Sequence, residues 1–301
     1  MKKMLFLINP NAGNSGIRTK LLDVTQVFCS AGFEVRVHTT SGPREITEVI
    51  TREGMDYDMV VSSGGDGTLN ETVAGLMRLE KRPVLGYIPA GTVNDMAASL
   101  GLSMDVMEAA KTIVAGEPME LDVGTLNGRP YAYVAAFGAF TDVAYATPQD
   151  VKRALGRLAY LLKGVTALTD IRPIHARIYA DGVEDEDDFL LGMMCSTRSI
   201  GGFRAFRIPH VDISLNDGLS EVLFVRHIKK LTDVSELLNQ LVKMDFLDQR
   251  RFLSLQAKNI RVEFDRDVAW TVDGEDGGRC TEALLENHHS AIRVMVPKRE
   301  N

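Results

Sequence analysis

Three segments in the first third of the chain combine glycine with small polar residues directly after an apolar run. They are Asn9–Gly16, Ser62–Thr68 and Pro89–Asp95. Glycine allows close backbone approach and exposes N–H groups, which can bind phosphate oxygens. In a parallel sheet, loops that follow strands emerge at the same carboxyl edge, where ligands of such folds bind. The pattern therefore predicts one phosphate site built from three loops, with three ordinary strand-to-helix turns as the alternative.

Two of these loops also carry the spacing of a helix N-terminus. Thr68 and Glu71 are three residues apart, as are Thr92 and Asp95, and this spacing is typical of a capping box. Each loop is therefore expected to lead directly into a helix, whose N-terminal N–H groups attract anions. The loops contain no Lys and match neither Walker A nor G-x-G-x-x-G. Backbone N–H groups and a metal ion would have to neutralise a bound phosphate.

A third feature lies near the end of the chain, where Asp273 and Glu275 flank Gly274. In an extended strand, side chains two residues apart share a face, so the two carboxylates are expected side by side. Phosphoryl transfer to an alcohol needs a group that accepts the hydroxyl proton, and a carboxylate can do this. Two solvated turn acids are the alternative interpretation.

The elements that must position these residues change in type along the chain. Up to residue 122, strands are expected at 4–8, 34–38, 59–61 and 84–88, with helices at 18–31, 44–53 and 68–79 and from 92 and 104. Strands that alternate with helix-length segments predict a mainly parallel sheet.

After residue 122, apolar runs separated by turn signals predict a mainly antiparallel second domain. Strands are expected at 131–140, 174–180, 189–195, 220–226, 260–264, 268–272 and 291–296, with helices near 151–168 and 231–244. The acidic run at 184–188 is expected at a solvated hairpin tip, with a metal site as the alternative. The two domains are therefore expected at residues 1–122 and 123–301.

The composition excludes several classes of protein. A chain of 301 residues that is 45% hydrophobic and 25% charged indicates a folded protein. Its net charge of −7 argues against a general nucleic-acid-binding protein. The three cysteines are widely spaced, which argues against a disulfide framework. The apolar run at residues 4–8 is too brief for a signal peptide, and no stretch is long enough for a membrane span, so a cytoplasmic location is expected.

Residues 64–71, G-G-D-G-T-L-N-E, and 89–95, P-A-G-T-V-N-D, resemble the bacterial diacylglycerol kinase family. That family is related to sphingosine and ceramide kinases and, more remotely, to NAD kinases. The resemblance covers nearly the whole chain, including N-P-x-A-G at 9–13, L-N-D-G at 215–218 and V-D-G-E at 272–275. The G-G-D-G-T element alone indicates the superfamily, whereas the combination indicates the lipid-kinase branch.

The resemblance implies an ATP site between an NAD-kinase-like α/β domain and a β-sandwich second domain, whose C-terminal end can pack back on the first. It implies that Glu275 accepts the proton, with Asp273 beside it and Asp66 facing the phosphates. Which of Glu275 and Asp273 is the proton acceptor stays open. The residues that match the family's nucleotide-contacting positions are Asn9, Pro10, Asn11, Ala12, Gly13, Thr40, Gly65, Asp66, Gly67, Thr68, Leu69, Asn70, Glu71 and Thr92.

The resemblance also implies a structural Mg²⁺ at a turn of the second domain. Its ligands would be the Asp217 side chain and backbone carbonyls near Ser214 and Leu219. Asn216 stands at a position that can be Asp in relatives, which removes a negative charge and weakens the expected site.

The segment at 151–168 is a candidate for contact with the membrane that contains the lipid. At helical spacing its apolar residues share one face and its basic residues the other, which is typical either of a helix on an anionic bilayer or of a helix packed on the second domain.

The sequence thus predicts a lipid kinase that uses ATP and Mg²⁺ to convert diacylglycerol into phosphatidic acid at a membrane surface, without a nucleic-acid partner. A sphingoid or ceramide substrate, NAD kinase activity and a non-catalytic regulator are the alternatives, and assembly as a homodimer stays open.

Overall fold

The computed structural model of the chain describes residues 1–13, 16–138, 172–196, 199–200, 203–204, 214–228, 236–237, 240 and 246–298. The first part alternates strands and helices. They are β1 (Lys2–Ile8), α1 (Ile17–Ser30), β2 (Phe33–Thr39), α2 (Glu45–Glu53), β3 (Met59–Gly64), α3 (Asp66–Leu76), β4 (Val84–Pro89), α4 (Asp95–Ser99) and α5 (Val106–Ala115), with a 3-10 turn at Gly54–Asp56.

The strands of this part pair in parallel in the order β4-β3-β1-β2. Apolar residues of α2 and α3 pack on one face of the sheet, and those of α1 and α5 pack on the other. Because both faces are covered, β1 is an apolar run from Met4 to Ile8 with no exposed side chain. This arrangement directs the carboxyl ends of β1, β3 and β4 to one edge.

The second part is built mainly from strands. They are β5 (Glu117–Leu126), β6 (Arg129–Tyr131), β7 (Val134–Gly138), β8 (Ile174–Ala180), β9 (Val183–Cys195), β10 (Ser199–Ile200), β11 (Phe203–Arg204), β12 (Ser220–Arg226), β13 (Phe252–Ala257), β14 (Asn259–Val272) and β15 (Glu275–Val296). β14 pairs antiparallel with β7, β8 and β15, and β9 pairs antiparallel with β7, β8 and β12. The long strands β9 and β14 therefore connect several shorter ones around one aromatic core.

The C-terminal strand returns to the first part. β15 pairs antiparallel with β5, and Val294 pairs in parallel with Leu85 of β4. In the described part of the chain, 13 strands thus form one hydrogen-bonded network. The expected domain boundary at residue 122 lies inside β5, which ends at Leu126.

Several strand predictions need correction. Residues 260–264 and 268–272 belong to one strand, β14, whose pairing with β15 shifts register between Glu263 and Val268. The expected strand at 291–296 is only the end of the 22-residue β15, and β5 and β13 were missed. Charged and polar residues interrupt the apolar pattern of these strands, because edge and half-exposed positions do not require apolar side chains. Residues 131–140 contain the end of β6 and, after a break, β7.

The acidic run at 184–188 does not form a hairpin tip. The tip is Asp181-Gly182, and the acidic residues lie within β9. Asp187 is 2.9 Å from Arg226, and Glu186 is 2.9 Å from Arg177. Cross-strand ion pairs therefore permit a charged strand at this position. The helix expected at 151–168 lies outside the described residues, as does most of the helix expected at 231–244.

The structure has no helix, among the residues it describes, that combines the length and the apolar character needed to cross a bilayer.

Phe137 provides a test of the second core. It is fully buried, with ring centroids 5.7 Å from Phe224 and 5.0 Å from Trp270. We expect Phe137→Ala to lower the free energy of unfolding by about 3–5 kcal/mol, because it removes buried area and leaves a cavity. Urea unfolding measures this change. Leu22→Ala is the control, since Leu22 is 79% exposed; an equal loss there would contradict the assignment of this core.

Candidate active site

The three glycine loops meet because they follow adjacent strands of the parallel sheet. A Cβ atom on Gly13 would lie 2.2 Å from the carbonyl oxygen of Ala90. A Cβ atom on Gly91 would lie 2.5 Å from Cα of Gly65. A side chain at either position would clash with the backbone of a neighbouring loop. The structure therefore brings together the loops that the sequence predicts to share one edge.

Side chains hold the first loop in place beside the second. Asn9 Nδ2 donates to Thr68 Oγ1 at 3.1 Å, and Asn9 Oδ1 accepts from the backbone N–H of Asn11 at 3.0 Å. The Arg18 guanidinium donates to the carbonyl oxygen of Pro10. Several loop groups are thus committed to internal hydrogen bonds, which leaves the loop pre-organised.

The capping-box prediction is wrong at both helices, although both loops do lead directly into helices. α3 begins at Asp66 after Gly65, and α4 begins at Asp95 after Asn94, with no side-chain cap at either start. Thr68 instead lies in the first turn of α3, where its hydroxyl meets Asn9. Gly65 alone separates β3 from α3, whereas residues 90–94, which end at the left-handed Asn94, separate β4 from α4.

Asn94 connects the third loop to Asp66. Its backbone has a positive φ of 54°, and its N–H donates to Asp66 Oδ2 at 2.9 Å. Its side chain accepts from the N–H of Gly91 and donates to the carbonyl of Gly91. Sequence reasoning did not include Asn94 among the site residues, although its place in the G-T-x-N-D motif was a usable signal.

Asp66 is a carboxylate held in an unfavourable environment. Its Oδ1 atom is buried and has no hydrogen-bond partner among the described residues. Burial, together with the charge of the buried Asp95, raises the pKa of Asp66 to about 6. A buried oxygen without a partner is costly, and Mg²⁺ prefers oxygen ligands. The residues present therefore fit a cation bound at Asp66, and Asp95 is a neighbour that sequence reasoning missed.

Asp273 is buried at the start of the turn between β14 and β15. Its Oδ2 accepts from Asn70 Nδ2 and from the N–H of Ala132, and its Oδ1 accepts from the N–H groups of Tyr133 and Val134 at 3.0 and 2.9 Å. An ionised carboxylate has about four lone-pair sites. All of them are occupied here, so Asp273 has no free site at which to take a proton from a substrate.

Glu275 differs from Asp273, and the prediction that the two carboxylates share a face is wrong. Asp273 and Gly274 both have positive φ, 51° and 82°, and form the two-residue turn that Asp-Gly favours. The chain is therefore not extended between residues 273 and 275. Glu275 is exposed, and its Oε1 lies 2.9 Å from the position of a Cβ atom on Gly67.

Glu71 of α3 lies within electrostatic reach of Glu275, the first residue of β15. Its Oε1 accepts from the backbone N–H of Arg44 at 2.8 Å. Burial raises the pKa of the Glu71 carboxyl, and the nearby Glu275 carboxylate acts in the same direction. The structure thus places three carboxylates, Asp66, Glu71 and Glu275, around the first turns of α3.

The other nucleotide candidates occupy different environments. Leu69 is 2% exposed and packs into the core under α3, so its side chain does not face a ligand. Thr92 is exposed in the third loop. Thr40 follows β2 and donates to the carbonyl of Ile8, and Ala12 donates to the carbonyl of Asn9.

The expected structural-metal turn is anchored by a residue that sequence reasoning missed, Asp122 of β5. The buried Asp122 carboxylate accepts from the N–H of Gly218 at 2.6 Å and from the N–H of Ser290 at 2.7 Å. No signal in the sequence distinguished Asp122, because its partners, two backbone N–H groups and the His289 ring, are distant in sequence.

The turn itself contains the three expected metal ligands. Asp217 Oδ1 accepts from the N–H of Leu219 at 3.0 Å, and Ser214 Oγ donates to Asn216 Oδ1 at 3.0 Å. Asp217 is exposed, and its Oδ2 atom accepts no hydrogen bond from a described residue. Among the described residues, no three His, Cys, Asp or Glu side chains lie close enough to hold a metal ion. A cation here would therefore need backbone carbonyl and water ligands, which Mg²⁺ accepts.

Comparison with known families identifies both parts of the chain. Residues 3–126 match the diacylglycerol kinase catalytic domain, and residues 134–296 match the YegS C-terminal NAD kinase beta sandwich-like domain. The chain belongs to the diacylglycerol kinase family. The resemblance and the expected order of a catalytic domain followed by a β-sandwich-like domain are confirmed.

The likeness of this family member to named relatives extends over nearly its full length. It is 31% identical over 300 residues to the diacylglycerol kinase of Bacillus subtilis (strain 168), covering 99% of this chain and 97% of the relative. It is 32% identical over 297 residues to that of Staphylococcus saprophyticus, covering 98% and 96%. The crystal structure of a diacylglycerol kinase from Bacillus anthracis str. Sterne matches with a TM-score of 0.80 and 26% identity, covering 98% and 97%.

Because the pKa of Asp66 is raised, we predict that Asp66→Asn stabilises the fold by an amount that increases with pH. Because the folded pKa of about 6 exceeds the ordinary 3.8, the proton bound by Asp66 stabilises the fold at low pH, and this contribution disappears as the pH rises through 6. Asp66→Asn has no charge to bury. We therefore expect its melting temperature, relative to that of the wild type, to increase from about pH 4 to about pH 7.5 in ligand-free protein. A constant difference over this range would contradict the raised pKa.

Proposed function

We propose that this protein transfers the γ-phosphoryl group of ATP to the hydroxyl of diacylglycerol and forms phosphatidic acid. The observation that carries the proposal is the position of Glu275, an exposed carboxylate beside Gly67 at the N-terminus of α3. This is where the three glycine loops converge. Full-length similarity to named diacylglycerol kinases supports the choice of substrate.

The loops and Glu275 have separate roles in this proposal. Free N–H groups of the loops and of the α3 N-terminus bind the phosphates. The Glu275 carboxylate accepts the proton of the lipid hydroxyl as its oxygen bonds to the γ-phosphorus, and the bond from that phosphorus to ADP breaks. Asp273 serves as a structural group, because its acceptor sites are already occupied.

Asp66 is the proposed ligand of a Mg²⁺ ion that accompanies ATP. Its Oδ1 is the buried oxygen without a described partner, and it lies on the helix that carries Gly67. A bound Mg²⁺ would add to the backbone N–H groups the positive charge that the loops, which contain no Lys, do not carry in their side chains. Contact with a membrane surface, a cytoplasmic location and assembly as a homodimer stay predictions.

Transfer of radiolabelled phosphate from ATP to candidate acceptors tests the proposal directly. Diacylglycerol, ceramide, sphingosine and NAD are each supplied to the full chain with Mg²⁺. We expect labelled phosphatidic acid as the main product. Main labelling of another lipid would change the substrate, labelling of NAD would change the reaction, and no labelled product would overturn the kinase proposal.

The role of Glu275 predicts a loss of turnover without a loss of nucleotide binding. Glu275→Gln keeps the size of the side chain but removes its basic group, so kcat should fall by about 10²–10⁴-fold. ATP binding, measured by calorimetry, should change little because the loops hold the nucleotide. Glu282→Gln on the same strand, where Glu282 is also exposed, is the matched control. Wild-type kcat in Glu275→Gln would exclude Glu275 as the base.

The proposed second-domain Mg²⁺ predicts stabilisation by the metal without nucleotide. A ligand that binds only the folded state raises its stability, so Mg²⁺ should raise the melting temperature of the wild type. Asp217→Ala should remove this rise, and Asn216→Asp should enlarge it by adding a carboxylate to the turn. If all three proteins respond equally to Mg²⁺, the turn is not a metal site.

A further inference from the structure

Asn70 joins the two parts of the chain at the candidate active site. It lies on α3, is 8% exposed, and donates through Nδ2 to Asp273 Oδ2, across 203 positions of sequence. The other donors to the Asp273 carboxylate are the backbone N–H groups of residues 132–134. Within the described part of the chain, Asn70 is thus the donor that ties this turn to the nucleotide-binding helix.

The turn and α3 meet in a defined register. Asp66 and Asn70 are four residues apart, so they share one stripe of the helix, and Gly67 and Glu71 form the adjacent stripe. Asp273 contacts the first stripe through Asn70. Glu275 lies against the second stripe, beside Gly67 and within electrostatic reach of Glu71. Fixing Asp273 on one stripe therefore determines which helix residues Glu275 faces on the other.

We propose that Asn70 is a positioning residue for the Glu275 carboxylate, which it places by holding Asp273 against α3. The inference rests on the proposed function, in which Glu275 is the base. This role differs from the nucleotide contact that the family resemblance implies at position 70, because the amide group donates to Asp273.

The chemistry of the residue type agrees with this role. The contact requires a hydrogen-bond donor of short reach, since Asn70 and Asp273 are both buried. A neutral amide donates without adding charge to a site that already contains Asp66, Glu71 and Glu275. An Asp at position 70 would have the same shape but would present a second carboxylate to Asp273, which is repulsive.

The test compares Asn70→Ala and Asn70→Asp with the wild type in the diacylglycerol assay. A misplacement of about 1 Å at a reacting group can cost about 10²-fold in rate, so kcat should fall by about 10–100-fold in Asn70→Ala. Asn70→Asp should lose at least as much, despite its equal size. The KM for ATP should stay within about threefold of the wild type, because the substitution leaves in place the contacts that bind ATP equally in the ground state and the transition state. Circular dichroism and thermal melting establish that each variant is folded.

A double-substitution cycle separates positioning from a general structural effect. If Asn70 acts only through Glu275, Asn70→Ala should cause no further loss of kcat in the Glu275→Gln protein, since interacting residues are not additive. Multiplied losses would mean that Asn70 acts elsewhere and would overturn the inference. The inference would also be overturned if a rise in the KM for ATP accounted for the whole loss of kcat/KM. That result would mean that Asn70 contacts the nucleotide.

Gly67→Ala perturbs the same carboxylate without changing Asn70. The added Cβ would meet Glu275 Oε1 at 2.9 Å, and Gly67 lies in α3, where alanine is favoured. The protein should therefore fold, with a lowered kcat. Gly42→Ala is the control, since a Cβ there meets nothing within 4 Å, and it should keep the wild-type kcat.

The two levels of the proposal can fail separately. If the wild type phosphorylates none of the acceptors, the proposed function is wrong. If the wild type is active but folded Asn70→Ala keeps its kcat, the kinase assignment holds and the positioning role of Asn70 is wrong.

Discussion

The buried carboxylate of Asp273 is the interaction on which the geometry of the site depends. A charge removed from water is tolerated only when hydrogen bonds replace its hydration, and Asp273 receives four N–H groups from two separate parts of the chain. Three of them come from residues 132–134, at the junction of β6 and β7, and the fourth comes from Asn70. Because the fourth donor lies on α3, the carboxylate ties the turn to that helix.

That position places Glu275 in a strongly acidic environment. Asp66, Asp95 and Glu71 surround the start of α3, and the loops supply no Lys side chain to balance them. The raised pKa of Asp66, to about 6, shows the effect of this crowding and of burial. Before cations bind, this charge distribution disfavours ionisation of the carboxylic acids in the site. Such an arrangement suits a reaction in which ATP is accompanied by a divalent metal ion.

The two parts of the chain also share one hydrophobic core. Leu215, Ile292 and Val294 of the second part belong to the same buried cluster as Leu5 and Val60 of the parallel sheet. β15 supports this arrangement, because its N-terminal end carries Glu275 while its C-terminal end pairs with β4 and β5. The Asp273–Glu275 turn and the three glycine loops are therefore linked both by side-chain packing and by a continuous strand network.

The sequence alone determined the loops, the alternation of strands and helices in the first part, and the family, because these depend on local spacing: glycines after apolar runs, and motifs in a fixed order. It could not distinguish Asp273 from Glu275, because the difference depends on a turn whose hydrogen-bond donors lie more than 130 positions away. The role of Asp122 could not be predicted for the same reason, since its partners, two backbone N–H groups and the His289 ring, lie far away in sequence. Nor could the sequence show that the Asn70 side chain donates to Asp273. Only the tertiary structure decided these roles, since burial and hydrogen-bond partners arise when distant segments pack together.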